Sequence, residues 1–294
     1  MVLPGHPRSD GTPQNPCLSP ERWQAILDRG IRELEEVVAH YDADGANFLD
    51  GNPKQLLPGL YYLGDYEGHA IYSLRAGERL FLFDAPRGPG LVSFVESRLR
   101  QAGLTAARPT AVLLTSCGPE STAGLKALVT RFGCEVVAAR AGLSAIQAAC
   151  PRGTVIRSED DLSAASWFPV RALPLAGRGQ APLAYEVKWR GKTVLLSGRI
   201  PVKVSPRAVM ELLRALTEPG NDTRQYVQSL RRLEGLKPDL WLPSVPVDGQ
   251  NANLYGRAWA ETLSDNQAAV QRGVMSGWVR PDTEAPTASN PSNR

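Results

Sequence analysis

Apolar residues recur at helical spacing soon after the start of the chain, at Trp23, Ile26, Leu27, Ile31, Leu34, Val37, Val38 and Tyr41. Ser19 stands where an N-cap belongs and Pro20 falls in the first turn. The spacing predicts an amphipathic helix over 19–41, which needs a surface to cover its apolar face. The turn formers of DADGANFLDGNPKQ (42–55) read as a linker. From Leu56 the period shortens. Residues 61–63, 69–74 and 80–84 read as three successive strands, the last two joined by a turn at Ala76 and Gly77. Helical spacing returns over 91–104, a buried-type strand AVLLT follows at 111–115, then a helix over 121–132 and a strand at 134–139. Strand, helix, strand in that order argues for a parallel or mixed sheet covered by helices. A short helix at 141–149 precedes a second β-rich block at 171–175, 183–189 and 192–197, with a hairpin turn at Gly191. Helices over 205–217 and 222–234, a strand at 239–243 and a helix over 255–272 complete the pattern.

Four prolines and few apolar residues in 1–18 leave that arm unable to offset its ordering entropy, and the polar tail 276–294 reads the same way. The expected organisation is therefore a disordered arm (1–18), a helix and linker (19–55), one domain (56–275) and a disordered tail (276–294). A net charge of +3, from 33 Lys and Arg against 30 Asp and Glu, is too small to suggest nucleic-acid binding. No run approaches the roughly 18 apolar residues of a membrane span, and the N-terminus lacks the apolar core of a signal peptide. The expected location is cytoplasmic, and arginine used in preference to lysine suggests a GC-rich, bacterial genome. Cys17, Cys117, Cys134 and Cys150 stand too far apart for a CxxC pair. His6, His40 and His69 are the only imidazoles in the chain, so any mechanism that needs a histidine cluster must work with those three. Neither GxSxG nor a P-loop occurs.

Four segments in order carry a resemblance: FLFDAP (81–86), AVLLTSCGPESTAGL (111–125), LAGRGQAPLAYEV (175–187) and VLLSGRI (194–200). They resemble a strand ending in aspartate, the loop before a helix that carries a His-x-His-x-Asp-His motif, the stretch with the next metal histidine, and the strand whose Gly-Asp bridges two cations. On these the chain is identified as similar to the metallo-β-lactamase superfamily over about 56–272. The resemblance implies an α/β (α+β) fold, an αββα four-layer sandwich of two mixed sheets flanked by helices.

Carried over position by position, the motif falls on Ser116, Gly118, Glu120 and Ser121, the third histidine on Arg178, the bridging aspartate on Arg199 and the last histidine on Val245. No histidine stands at any of them, and His69 falls on none. Arginine is a donor that stays charged, so it repels a cation instead of ligating it. The expectation is a member with a degenerate metal site: no metal, no other cofactor, no catalytic residue, and Arg178 or Arg199 paired with Glu120. Replacing Arg199 by Ala should then destabilise more than losing a surface arginine. The expected role is a catalytically silent binding or scaffold protein, holding a small anionic ligand and meeting a protein partner or a second copy through 19–41, without nucleic acid or membrane. The alternative is a hydrolase of the same superfamily acting through a non-standard or metal-free site. Cys117, on the same loop, reads as a small buried residue or as a thiol activated by nearby arginines.

Overall fold

The computed structural model describes residues 52–162, 167–201, 212–218, 220–244, 254–255 and 259–275, together with Ser19, Glu21, Arg22, Gln24, Ala25 and Asp28. The expected arm, tail and most of the 19–41 helix lie outside the described residues, as does Val245. Arg22 is described, and its guanidinium pairs with buried Asp265 of the last helix.

Seven strands form the first sheet in sequence order: β1 (Lys54–Leu57), β2 (Leu60–Tyr66), β3 (His69–Ala76), β4 (Arg79–Phe83), β5 (Pro109–Leu113), β6 (Glu135–Ala138) and β7 (Ile156–Ser158). β1 to β4 run as an antiparallel meander, and β4 to β7 are parallel. Parallel neighbours need crossovers. These are supplied by α1 (Leu91–Gln101), α2 (Pro119–Thr122), α3 (Leu125–Phe132) and α4 (Leu143–Ala149). The second sheet has the order β12-β11-β10-β9-β8, from β8 (Val170–Pro174), β9 (Leu183–Trp189), β10 (Lys192–Gly198), β11 (Leu240–Pro243) and β12 (Leu254–Tyr255). Its β10–β11 pair is parallel, with α5 (Thr223–Glu234) between them in sequence and α6 (Trp259–Met275) at the end.

Period-two alternation sorts the second sheet between two cores. Leu183, Tyr185, Val187, Val194, Leu196, Leu240 and Leu242 pack in one core with first-sheet residues such as Tyr62, Phe81 and Phe83. Ala184, Leu195 and Trp241 point the other way, onto Tyr226, Leu230 and Leu233 of α5 and Leu263 and Val270 of α6. The sheets therefore face one another with helices outside, the αββα sandwich that the resemblance implies. Burying each such leucine contributes about 1.5–3 kcal/mol. Among the described residues no helix is long and apolar enough to cross a membrane.

Several boundaries differ from the sequence expectation. Lys54 and Gln55, assigned to the linker, open β1 and pair with Tyr62 and Tyr61. The helix expected over 121–132 is broken into α2 and α3, because Ala85 N donates to Ser121 O and Gly124 N donates to Ala85 O, tying the break to the end of β4. The last helix begins at Trp259, not 255, since residues 254–255 pair with β11 as β12. The hairpin at Gly191 is as expected: Arg190 and Gly191 both take positive φ, the two-residue turn whose twist matches antiparallel strands.

Candidate functional site

The C-terminal ends of β4 and β5 in one sheet and of β10 and β11 in the other meet at one rim of the sandwich, together with the N-terminal end of β3. Backbone hydrogen bonds stitch these ends together: Asp84 N donates to Leu113 O (3.0 Å), Ala70 N to Ser244 O (2.8 Å), Leu183 N to Thr115 O (2.8 Å) and Ser244 N to Gly198 O (2.8 Å).

Asp84 lies at the centre, 2% exposed and at φ 64°. Its Oδ1 accepts from Thr115 N at 2.7 Å. Its Oδ2 accepts from Thr115 Oγ1 at 2.6 Å and Ser244 Oγ at 2.8 Å, and lies 3.0 Å from His69 Nε2. Burial pushes the Asp84 carboxyl upward, but the hydrogen bond and charge of His69 and the donors of Thr115 outweigh it and hold the group below the usual carboxylate range. Asp84 is thus a structural acceptor that fastens the two sheets and fixes the His69 ring. A Cβ on Gly198 would stand 2.7 Å from Thr115 Oγ1, which is why the chain passes here at φ 62° without a side chain.

Above this knot, Glu67, His69, Arg87, Glu120 and Arg199 line a cavity of about 360 Å³, with Gly68, Pro86, Gly88 and Pro89 completing the wall. Tyr66 shapes its mouth, accepting from Gly90 N at 2.9 Å and filling the space a side chain on Gly88 would need. Ser116 Oγ donates to Glu120 Oε1 at 2.9 Å and accepts from Gly118 N at 3.0 Å. This folds Glu120 back over Gly118, where any Cβ would run into its carboxylate. Ser121 is fully buried in α2, its Oγ without a hydrogen-bond partner among the described residues.

The sequence placed Ser116, Gly118, Glu120, Ser121, Arg178 and Arg199 at one site. Glu120 and Arg199 do line one cavity, and Ser116, itself held by Gly118 N, donates to Glu120. Arg178 is set behind: its Nη1 donates to the Arg199 carbonyl at 3.1 Å, and it is not part of the cavity wall. The expected Arg–Glu pair is corrected, because among the described residues Glu120 is held by Ser116 and forms no ion pair with either arginine. Arg199 Nε is shut from water with no acceptor. His69, left out by motif position, belongs to the site. Its signal was in the hairpin: Tyr72 pairs with Phe83, and extending that register past the strand ends brings His69 alongside Asp84 and Pro86. The activated-thiol reading of Cys117 is also corrected. Burial pushes that thiol up to about 11, with the carboxylates of Glu159, Asp84 and Glu120 adding to it.

No sequence-family profile and no curated protein matches the chain. Solved structures do. A metallo-β-lactamase of Cronobacter sakazakii with a HARLDQ motif superposes with a TM-score of 0.57 at 17% identity, covering 76% of this chain and 98% of that one. The chain has the metallo-β-lactamase fold. A subclass B3 enzyme of Bradyrhizobium japonicum matches at TM-score 0.55 and 16% identity (76% and 94% covered). A B3 enzyme described as having an active-site glutamic acid matches at 0.54 and 16% (76% and 89%).

Enzymes of this fold imply a metal centre, and the residues at this rim do not fit one. Among the described residues no group of three or more His, Cys, Asp and Glu could hold a metal ion. Both Asp84 oxygens and His69 Nε2 are spent on each other and on Thr115 and Ser244. A guanidinium stands in the cavity wall, where it would repel a cation.

Proposed function

We propose that this is a metallo-β-lactamase-fold protein whose rim site works as a metal-free binding cavity, a catalytically silent binding or scaffold role in which Arg199 takes up the anionic group of a small ligand. The observation that carries this reading is that Arg199 and Glu120 stand half-buried in the wall of one cavity and form no ion pair with each other or with another described residue. The helix over 19–41 is proposed as the contact to a protein partner or second copy. Arg22, near the start of that range, pairs with Asp265 of α6.

The test is elemental analysis of the purified full chain after it has been offered zinc, manganese and iron, followed by assay with a chromogenic β-lactam and a thioester. The expected result is substoichiometric metal and no turnover above buffer. One or two tightly held ions per chain, or metal-dependent hydrolysis, would overturn the reading.

A further inference from the structure

Four charged side chains line the rim cavity, Glu67, Arg87, Glu120 and Arg199, and among the described residues none of them forms an ion pair with another. Opposite charges set in one cavity wall without neutralising one another can each take a complementary charge from a ligand. The formal charges of these four sum to zero, two arginines against two glutamates. A metal cation would therefore meet two guanidiniums, and a bare anion two carboxylates. A molecule carrying both signs meets a partner for each.

Depth sorts the four. Glu67 and Arg87 are exposed at the mouth, whereas Glu120 and Arg199 are half-buried within. Glu120 is oriented through one oxygen only, Oε1 on Ser116, which leaves Oε2 available. Arg199 forms no ion pair among the described residues, and His69, whose Nε2 lies on Asp84, stands in the same wall. We propose that the cavity binds a small zwitterion of the α-amino acid class, its carboxylate on Arg199 and its ammonium on Glu120. A volume of about 360 Å³ sits at the small-molecule end of ligand cavities. The proposal rests on the reading of the rim as a metal-free binding cavity.

The test is calorimetric titration of the full chain, treated with chelator, with each of the common L-α-amino acids. The tightest binder is then compared with its deaminated acid and its decarboxylated amine. The expected result is saturable binding of at least one amino acid, with both half-molecules at least about 10-fold weaker, since each strands one protein charge. Arg199→Gln and Glu120→Gln should each abolish binding while the melting transition stays cooperative, because glutamine at 120 keeps the acceptor for Ser116. An acid that binds as well as its amino acid would overturn the zwitterion and leave the binding cavity standing. Silence across the whole panel would overturn the zwitterion as well. One or two bound metal ions before chelation would overturn the reading beneath it.

Discussion

At the scale of single residues, Asp84 is where chemistry and architecture are hardest to separate. Its carboxylate takes donors from β3, the end of β5 and the end of β11, so one side chain closes both sheets at the rim. Asp84→Asn keeps the shape but turns an amide N–H₂ toward groups that themselves donate. The expected loss is about 2–4 kcal/mol in urea unfolding, the range for breaking a buried charge-assisted network. The pH dependence has a definite sign. A carboxyl held lower in the folded state stabilises the fold above its unfolded value, near pH 4, and that contribution is lost as the pH falls through the native value. The gap between the wild type and Asp84→Asn should narrow as the pH falls from about 5 and close below pH 4. A gap that widens in acid would contradict the assignment.

At the scale of elements, the backbone approach between β10 and the end of β5 makes Gly198 more than a turn residue. Alanine there meets both a left-handed φ and the Thr115 hydroxyl that Asp84 needs. Gly191, in the β9–β10 hairpin, has a similar φ of 77° but open space around it. Gly191→Ala should cost about 1 kcal/mol, the conformational penalty alone, and Gly198→Ala about 2–4 kcal/mol. Equal midpoints in urea for the two variants would remove the close approach from the account. The same elements show what a sequence can disclose. The strands of β2 to β5 and β8 to β11 were legible because both sheets bury continuous or alternating apolar runs, such as LFLF at 80–83 and LAYEV at 183–187. β7 and β12 were not, since IRS and a two-residue pair carry no periodicity and exist because a neighbouring edge offers hydrogen bonds. The site followed the same division. Motif position put Glu120 and Arg199 together, and the two line one cavity because both follow strand ends at the same rim. It missed His69, which reaches the rim through a hairpin register, and it paired Glu120 with arginine when a serine four residues away was nearer to hand.

At the scale of the whole molecule, the question is what Arg199 is for, and stability and binding give opposite answers that one variant can separate. If the guanidinium were the counter-ion of a buried carboxylate, as the sequence alone suggests, removing it would strand a charge and destabilise the fold by several kcal/mol. The structure instead holds Glu120 through Ser116 and leaves the Arg199 Nε closed to water with no acceptor. The packed stem then contributes through its methylenes, and the head costs desolvation that the described residues do not return. Arg199→Met keeps the stem volume and deletes the head. Its Tm should be unchanged or higher by about 2–4 °C, the shift that about 1 kcal/mol produces in a domain of this size. Meanwhile any amino acid that binds the wild type should lose at least about 10-fold in affinity. A residue that weakens the fold yet is required for a ligand is the pattern expected of a functional group, because stability lost locally at a binding site is tolerated where the ligand restores it. A drop in Tm of 5 °C or more for Arg199→Met, with glutamine at 120 rescuing it, would instead identify the pair as a structural plug and remove the ground for a ligand at this rim.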